Sequence, residues 1–243
     1  RKRLTPPLRV PVVLFEPNHM LLLSNEPERR RAYIDGILSQ TETRFQTIAQ
    51  SYKKTLAQRN RLLKQDTVSP EHIFVWDLRL SEFAGALVDF RTQYVAVVNE
   101  GLTKNYRSVS GNTEDLLISY DSKIPTERYT ELFLQKLKDN FELDRLRGFT
   151  GAGPHRDDIV IALNGHDARM SASRGETRSI VLALKIAELN IIASKTGKEP
   201  LLLLDDVFSE LDGKRRRMLA QAIRHTQTFI TTTDADAIVK NFM

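Results

Sequence analysis

The chain has 243 residues, a net charge of +5 and no cysteine. A chain of this length buries one large core or two modest ones, and without cysteine it has neither disulfides nor thiolate chemistry. No apolar run approaches the roughly 18 residues of a membrane span, so we expect no membrane partner.

The basic charge is concentrated at the front of the chain. Residues 1–67 contain 13 Lys and Arg against 6 Asp and Glu, so this part carries +7 and the remainder −2. A polyanionic partner is therefore expected to meet the N-terminal part. The chain begins Arg1-Lys2-Arg3, without an initiator Met or a signal peptide, which favours a cytoplasmic protein whose true start lies upstream.

The N-terminal half is predicted to be mainly helical. A strand is expected at residues 8–15, and apolar residues at helical spacing predict a helix that opens near residue 28 and resumes through residues 45–63. A break at residues 66–70 precedes a second long helix at residues 76–104. Two long helices with a short join favour an antiparallel helical arm.

The C-terminal half is predicted to contain both helices and strands, and their alternation after residue 170 is typical of an α/β fold. A strand at residues 115–120 and a helix at 126–143 precede a Gly-rich loop at 148–154. Asn164-Gly165 predicts a hairpin turn after a strand at 158–163. The later predicted elements are a return strand at 166–170, a helix that opens within 171–178 and ends near Gly197, a strand at 201–204, a helix from 213 to about 224 and a strand at 228–231.

The stretch Leu-Leu-Leu-Leu-Asp-Asp at residues 201–206 is the first candidate site. Four Leu predict a strand buried on both faces, and Asp205 and Asp206 fall where that strand leaves the sheet. In P-loop NTPases such a strand ends in a carboxylate that serves Mg²⁺, and a second carboxylate can orient the attacking water. Asp205 is the candidate metal ligand and Asp206 the candidate for the water. The alternative is a core strand followed by an Asp that caps a helix.

A second candidate site opens the helix that precedes this strand. Ser173 and Gly175 suit a phosphate, because exposed N–H groups at a helix start favour an anion and Gly lets the backbone approach it. The alternative is a capping box, because Ser173 and Glu176 form the S-x-x-E pattern.

The order of the motifs is more specific than any one of them. The Ser173 helix starts roughly 30 residues before the acidic strand, and Ser-Glu-Leu-Asp follows at residues 209–212. This order resembles the signature motif, Walker B strand and D-loop of ATP-binding cassettes. Within that superfamily the chain resembles, along essentially its whole length, the RecF family of bacterial recombination mediators. The resemblance is carried by residues 153–158 (Gly-Pro-His-Arg-Asp-Asp), 164–165, 172–175, 204–206 and 209–212, and upstream by residues 27–35 and 58–64.

The resemblance implies an α/β fold of the ABC/SMC-like P-loop NTPase head type, with an inserted α-helical arm and with the Walker A lobe missing. The implied parts are the remainder of an N-terminal ATPase lobe at residues 1–26, the arm at 27–147 and a C-terminal ATPase lobe at 148–243.

The resemblance also implies a slow ATPase in which ATP and Mg²⁺ lie between two copies of the chain, so that ATP controls a homodimer. One copy supplies Asp205, which serves the metal through water, and Asp206. The other implied site residues are the signature residues Ser173, Arg174, Gly175 and Glu176 of the second copy, the D-loop residues Ser209 and Asp212, and the switch residue Thr233.

The family's substrate is DNA at junctions of duplex and single strand, where a RecR-type partner helps to replace single-strand-binding protein with recombinase. Lys and Arg on a helical arm would release counterions from a duplex, whereas the alternative for each residue is a solvated helix face. The candidates for phosphate contacts are Arg29, Arg30, Arg31, Lys53, Lys54, Arg59 and Arg61.

Three features depart from the family's pattern. No G-x-x-x-x-G-K-[ST] occurs in the chain, and because the family has this loop N-terminal to the matching region, the chain alone is expected to bind ATP poorly or not at all. Glu176 stands where the signature has Gln. Thr233 stands where transporter cassettes have a switch His, and the water-sensing Gln before the arm is not identifiable near residues 15–17.

Two other functions stay open at this point. One is a non-catalytic DNA-binding scaffold that has lost its P-loop, and the other is a transporter cassette, against which the basic arm and Asp206 in place of Glu argue. His155 and Arg156 also have two interpretations: they contact nucleotide or DNA, or Arg156 forms a structural ion-pair cluster with Asp157 and Asp158.

Overall fold

A computed structural model describes residues 10–23, 26–65 and 67–233. Within these ranges the helices are α1 (Pro27–Thr41), α2 (Phe45–Leu62), α3 (Pro70–Ser110), α4 (Tyr129–Asp139), α5 (Phe141–Arg147), α6 (Ala168–Ser171), α7 (Arg174–Thr196), α8 (Val207–Glu210) and α9 (Gly213–Ile223), with 3₁₀ helices at Pro17–Leu23 and Thr126–Arg128. The strands are β1 (Val12–Phe15), β2 (Leu116–Asp121), β3 (Asp158–Leu163), β4 (His166–Asp167), β5 (Leu201–Asp205) and β6 (Thr228–Thr231). No helix in the described part of the chain is long and apolar enough to cross a bilayer.

The chain divides into two compact units. Among the described residues, the first unit comprises those up to 29, those of 96–118 and those from 161 onward, and the second comprises those of 30–95 and 119–160. Helix α3 and strands β2 and β3 contribute residues to both units. The three-part domain division made from the sequence stays a prediction.

A three-stranded parallel sheet in the order β1-β5-β6 is the centre of the first unit. The register places Phe15 of β1 beside Leu204 and Thr231 of β6 beside Asp205. Because the strands are parallel, their carboxyl ends meet at one edge of the sheet, which is where ligands bind in open α/β sheets. The predicted strands at residues 201–204 and 228–231 therefore share an edge.

The four Leu of β5 do not have equal surroundings. Leu202 and Leu204 are 0% and 1% exposed, whereas Leu201 and Leu203 are only partly buried. The prediction of a strand buried on both faces is therefore wrong for one face. The alternation is the normal result of successive side chains pointing to opposite faces of a sheet.

Helix α7 packs against β1, α9 and the 3₁₀ helix Pro17–Leu23. Its residues 180–184 are all at most 3% exposed, so the helix lies deep in the core of the first unit. Gly197 ends α7 in the left-handed conformation, with a φ of 64°, and this confirms the predicted glycine C-cap.

The Asn164-Gly165 turn joins β3 to β4, as predicted. Both residues have positive φ, 48° and 78°, which is the conformation that a two-residue hairpin turn of this type requires. The antiparallel register pairs Leu163 with His166. The return strand is shorter than the expected 166–170, because Asp167 caps α6 and its side chain accepts a hydrogen bond from the backbone N–H of Arg169.

The helices of the second unit follow the predicted pattern with three differences in their bounds. Helix α3 begins at Pro70 and not at residue 76, since proline is well suited to the first turn of a helix. The first helical region divides between α1 and α2. The helix expected at 126–143 divides at Asn140 into α4 and α5.

Gly153 lies in the Gly-rich loop of the second unit, with a φ of 122°. A Cβ at this position would be 2.8 Å from Cζ of Phe133 and 2.9 Å from Oη of Tyr52. We expect Gly153→Ala to lower the free energy of unfolding by about 1–3 kcal/mol from overpacking alone, with backbone strain in addition. Urea unfolding of the two forms measures this difference.

Gly36→Ala is the matched control for Gly153→Ala. Gly36 lies within α1, and a Cβ there meets nothing within 4 Å. We expect this change to be neutral or to stabilise by about 0.5–1 kcal/mol, because glycine is unfavourable inside a helix. Equal effects at both positions would contradict the steric role of Gly153.

Candidate functional site

The carboxyl edge of the parallel sheet brings two carboxylates and two hydroxyls together. Oγ1 of Thr231 donates to Oδ1 of Asp205 at 2.6 Å. The hydroxyl and the backbone N–H of Thr233 both lie 3.4 Å from Oδ1 of Asp206. Asp205 is exposed and Asp206 is partly exposed, so solvent and ligands can reach both. The predicted site residues Asp205, Asp206 and Thr233 are therefore neighbours.

Asp206 has an uncommon backbone conformation. Its φ of 49° and ψ of 25° are left-handed, and its backbone N–H donates to the carbonyl of Thr231 at 3.1 Å. Asp206 occupies the N-cap position of α8, but its side chain makes no capping hydrogen bond. The helix-cap alternative for Asp206 is therefore not supported. A strained position for a non-glycine residue at this edge is typical of functional sites.

The donor set at this edge fits Mg²⁺ bound to a nucleotide better than a protein-enclosed metal. Within the described residues, no group of three or more His, Cys, Asp or Glu side chains has the geometry to hold a metal ion. Mg²⁺ usually binds through one or two carboxylates together with waters and substrate phosphates. The exposed carboxylate of Asp205 meets that requirement.

Thr231 is a site residue that the sequence analysis did not name. Its hydroxyl orients Asp205 and also accepts a hydrogen bond from the backbone N–H of Asp206 at 3.2 Å. Thr231 could have been found only from the parallel pairing of β5 with β6, because that pairing makes their last residues neighbours. That pairing is not encoded in either strand alone.

The start of α7 forms a complete capping box. Oγ of Ser173 accepts from the backbone N–H of Glu176, and the Glu176 carboxylate accepts from the backbone N–H of Ser173 at 2.7 Å. This hydrogen bond holds the pKa of Glu176 below its ordinary value. The capping-box alternative is therefore present in the structure.

A capping box and a phosphate site are not mutually exclusive at this helix start. Ser173, Gly175 and Glu176 are all at least partly exposed, so the end of the helix is accessible. A Cβ at Gly175 would be 3.4 Å from the Arg215 guanidinium and 4.0 Å from Oγ of Ser173. The fold therefore does not require glycine at this position. Glycine also lets a ligand approach the backbone closely, and the packing around Gly175 is compatible with that role.

Asp212 connects the start of α9 to α7. Its side chain caps α9 by accepting from the backbone N–H of Arg215 at 2.9 Å and pairs with the Arg215 guanidinium. Nε of Arg215 then donates to Oγ of Ser179 at 2.8 Å. These contacts join the predicted D-loop residue to the predicted signature helix. Ser209, the other predicted D-loop residue, lies in α8, and its side chain is outside the described part.

Two of the seven predicted phosphate contacts are buried ion-pair residues, so those two predictions are wrong. Arg59 is 0% exposed and donates to Asp77 at 2.6 Å, and to Asp144 and Thr150 at 2.8 Å each. Arg30 is 2% exposed and forms two hydrogen bonds of 2.8 Å with Asp158. A DNA phosphate cannot reach a guanidinium in such surroundings.

The remaining candidates have different surroundings. Lys53, Lys54 and Arg61 are exposed on α2, and no carboxylate within the described residues pairs with them. Arg29 is exposed but pairs with Glu26. Arg31 is partly buried and donates to the backbone carbonyl of residue 157 at 2.6 Å. Lys53, Lys54 and Arg61 are therefore the strongest candidates for phosphate contacts.

His155 is held inside the second unit. Its Nε2 lies 3.1 Å from the carbonyl of Thr150, and its Nδ1 lies 2.6 Å from Oη of Tyr52. Because a carbonyl only accepts, Nε2 carries the proton and Nδ1 accepts from Tyr52. Burial lowers the pKa of His155 to about 4, so the ring is neutral at pH 7. His155 is a structural residue of the loop.

Asp157 is held by hydrogen bonds and Asp158 by an ion pair, and Arg156 takes part in neither. The Asp157 carboxylate accepts from Tyr120 at 2.7 Å and from Tyr129 at 3.1 Å, and burial raises its pKa. Asp158 pairs with Arg30. Arg156 is exposed, and its guanidinium lies 5.2 Å from the centre of the Phe149 ring. The structural cluster therefore omits Arg156.

Arg91 is a further buried residue that the sequence analysis did not single out. Its guanidinium forms two hydrogen bonds of 2.9 Å with Asp35 and donates to the carbonyl of Pro154 at 2.7 Å. It thereby holds the Gly-rich loop against α1 and α3. Its position on the apolar face of α3, between Leu87 and Tyr94, was the signal that could have indicated burial.

Comparison with known proteins gives a consistent set of relatives. No protein-family model matches the chain. The DNA replication and repair protein RecF of Alkaliphilus oremlandii is 37% identical over 228 residues, which cover 91% of this chain and 62% of that protein. RecF of Halothermothrix orenii is 38% identical over 239 residues, covering 92% of this chain and 63% of that protein. The chain thus spans slightly less than two thirds of these relatives.

The fold also matches solved structures of RecF proteins. The structure described as the recombination mediator protein RecF-ATPrS in the RecFOR pathway superimposes with a TM-score of 0.83 at 32% identity, over 93% of this chain and 63% of that chain. The RecF-ATP structure gives a TM-score of 0.82 at 30% identity. These matches confirm the predicted fold class. Sequence identity and fold similarity to RecF proteins both extend over about nine tenths of this chain.

Proposed function

We propose that the chain is part of an ATP-controlled DNA-binding protein that acts as a recombination mediator in DNA repair. The observation that carries the proposal is the pair of neighbouring, accessible carboxylates, Asp205 and Asp206, at the carboxyl edge of a parallel sheet. Relatives of this fold have been solved as RecF-ATP and RecF-ATPrS. The two carboxylates at the sheet edge and the similarity to DNA-repair proteins together support this function.

Each residue at the sheet edge would have a separate role in ATP hydrolysis. Asp205 would hold Mg²⁺ through a water molecule, and Thr231 keeps its carboxylate oriented. Asp206 would orient the water that attacks the terminal phosphate, and Thr233 beside it would respond to that phosphate. Mg²⁺ supplies charge neutralisation for the phosphates when it is bound. Slow turnover is expected, because a switch needs a long-lived ATP state.

The signature residues would act across a homodimer. The accessible start of α7, with Ser173, Arg174, Gly175 and Glu176, would meet the terminal phosphate bound by a second copy, since a helix N-terminus favours an anion. Ser209 and Asp212 would lie along the same interface. The Glu176 carboxylate opposes phosphate binding by its charge, so the interface is expected to be weak without Mg²⁺.

DNA is the proposed macromolecular substrate. Lys53, Lys54 and Arg61 project from α2 without carboxylate partners in the described part of the chain, and such cations release counterions when they meet phosphates. The proposed location is the cytoplasm, with a RecR-type protein as a further partner. No set of base-reading side chains is apparent among the residues that the structure describes, so we propose binding without sequence specificity.

The test compares two capping residues at position 173, in the intact protein that the gene encodes. Asp and Asn both cap helices well, so Ser173→Asp and Ser173→Asn should keep the fold, but only Asp places a new negative charge beside the phosphate. We expect ATP and Mg²⁺ to strengthen binding of gapped duplex DNA by the wild type and by Ser173→Asn. Ser173→Asp should abolish the ATP effect. Fluorescence anisotropy of labelled DNA measures both.

Two outcomes would decide against the proposal. If ATP changes DNA binding neither in the wild type nor in any variant, the protein is a non-catalytic DNA-binding scaffold and not an ATP-controlled switch. If Ser173→Asp responds to ATP as strongly as Ser173→Asn does, the start of α7 does not meet the phosphate. Thermal unfolding of both variants serves as the control for intact folding.

A further inference from the structure

The loop between α5 and β3 presents an aromatic ring to solvent although most of the loop is firmly held. The backbone N–H and the hydroxyl of Thr150 donate to Oδ1 of Asn60 at 2.8 and 2.7 Å. The backbone N–H of Gly151 donates to Asp144 at 3.0 Å. Phe149, immediately before these anchors, is nevertheless 40% exposed. The exposure is therefore built into a rigid segment.

Phe149 carries a cation on one face. The Arg156 guanidinium lies 5.2 Å from the ring centre, and Arg156 is itself exposed. A guanidinium stacked on an aromatic ring presents a flat, positively charged surface. Neither residue contributes to the buried network around Asp157 and Asp158. The contact between Phe149 and Arg156 is therefore separate from that network.

Two more cations flank the same loop. The stem of Lys64 lies against Gly148, since a Cβ there would be 3.4 Å from its Cγ, and the Arg147 guanidinium would lie 3.5 Å from a Cβ at Gly151. Lys64, Arg147 and Arg156 are all exposed, and none of them pairs with a carboxylate in the part of the chain that the structure describes. We call Lys64, Arg147, Phe149 and Arg156 the loop platform.

The loop platform continues a row of cations on α2. Lys53, Lys54 and Arg61 lie within a sector of about 100° of the helix and extend about 12 Å along it. That length is the axial span of three to four phosphates at about 3.4 Å spacing. Lys64 follows just after the end of α2. Phosphates bound along α2 would thus lead toward Phe149.

We infer that the loop platform binds an unpaired nucleotide of single-stranded DNA, whose base extends the stack of Phe149 and Arg156. An aromatic ring with neighbouring cations is the combination that binds single strands without sequence preference. Duplex DNA keeps its bases stacked inside, so only a gap or a single-stranded end can use the ring. This inference rests on the proposed DNA binding and adds to it the part that recognises the single strand.

The experiment compares two DNAs of the same duplex sequence, one blunt and one with a single-stranded tail, bound to the intact protein with ATP and Mg²⁺. We expect the wild type to prefer the tailed DNA. Phe149→Leu and Arg156→Gln should each reduce that preference by about tenfold, from the stacking energy of one base, and should leave binding of blunt DNA nearly unchanged. Leu146→Ala is the control, because Leu146 is 86% exposed but lies outside the loop platform.

A spectroscopic readout tests the stacking directly. 2-Aminopurine at the first unpaired position should lose fluorescence on binding to the wild type but not to Phe149→Leu. Equal weakening of blunt and tailed DNA, or unchanged quenching in Phe149→Leu, would overturn the inference. Absence of binding to either DNA by the wild type would instead refute the proposed function itself.

Discussion

Asp206→Asn in the intact protein should slow ATP hydrolysis by about 10²- to 10⁴-fold, the usual contribution of a positioned proton acceptor. Asn keeps the shape of Asp but cannot take a proton from the attacking water. The ATP-bound homodimer should therefore accumulate on gapped DNA. Phosphate release at saturating ATP gives the rate, and light scattering of the complex gives the dimer.

The backbone conformation at residue 206 should allow Asn to replace Asp without loss of stability. Its φ is 49°, and Asn occupies this left-handed region more readily than most residues. Asp206→Asn should therefore unfold at the same urea concentration as the wild type. Asp206→Ala is the contrasting variant, because Ala is strained in that conformation by about 1–2 kcal/mol.

The outcome that would refute the role of Asp206 is specific. If Asp206→Asn hydrolyses ATP at the rate of the wild type, another group orients the water. If it loses ATP binding as well as hydrolysis, Asp206 serves the metal and not the water. Asp205→Asn, which should weaken the response to Mg²⁺, distinguishes these two cases.

Arg59→Ala should lower the free energy of unfolding by about 3–5 kcal/mol, the usual cost of removing one partner from a buried ion pair. The change leaves the carboxylates of Asp77 and Asp144, which are 2% and 1% exposed, without their cation. The Thr150 hydroxyl also loses its hydrogen bond from Arg59. Urea unfolding followed by circular dichroism measures the loss.

Arg61→Ala is the matched control, two residues away on the same helix. Arg61 is exposed, and surface substitutions usually change stability by less than about 0.5 kcal/mol. In DNA binding the order should reverse: Arg61→Ala should weaken binding, whereas Arg59→Ala should affect it only through stability. Equal losses of stability in Arg59→Ala and Arg61→Ala would contradict the assignment of Arg59 as a buried ion-pair residue.

The stability loss in Arg59→Ala should depend on pH. Burial raises the pKa of Asp77 even in the wild type, and Arg59 opposes that shift, so removing Arg59 raises the pKa further. A carboxyl group whose folded pKa is raised stabilises the protein below its unfolded pKa of about 4, and this stability is lost as pH rises through the folded pKa. The loss caused by Arg59→Ala should therefore be smaller near pH 4 than at pH 7.

Local chemistry made much of the molecule predictable. Asn164-Gly165 specifies its turn because both residues tolerate positive φ, and Ser173 with Glu176 closes a helix start whatever surrounds it. The four Leu before Asp205 indicate a core strand from composition alone. The order of these motifs along the chain also indicated the family, because it does not depend on how the elements pack.

The faces of the helices were harder to assign. Arg59 follows Tyr52 by seven residues and so shares the buried face of α2, whereas Lys53, Lys54 and Arg61 project outside that face. Helical spacing contained this information, but a charged residue is usually exposed, and that general preference gave the wrong assignment.

Contacts between residues that are distant in the sequence could not be predicted from local sequence patterns. Asp77 and Asp144 make burial of Arg59 possible, and they lie 18 and 85 residues away from it. Thr231 reaches Asp205 from 26 residues away, only because β6 pairs with β5. Turns, caps and strands follow from neighbouring residues, since their hydrogen bonds close within a few positions. Which cations are buried and which hydroxyls meet the carboxylates depends on packing, because each buried charge needs a partner that the fold brings from elsewhere.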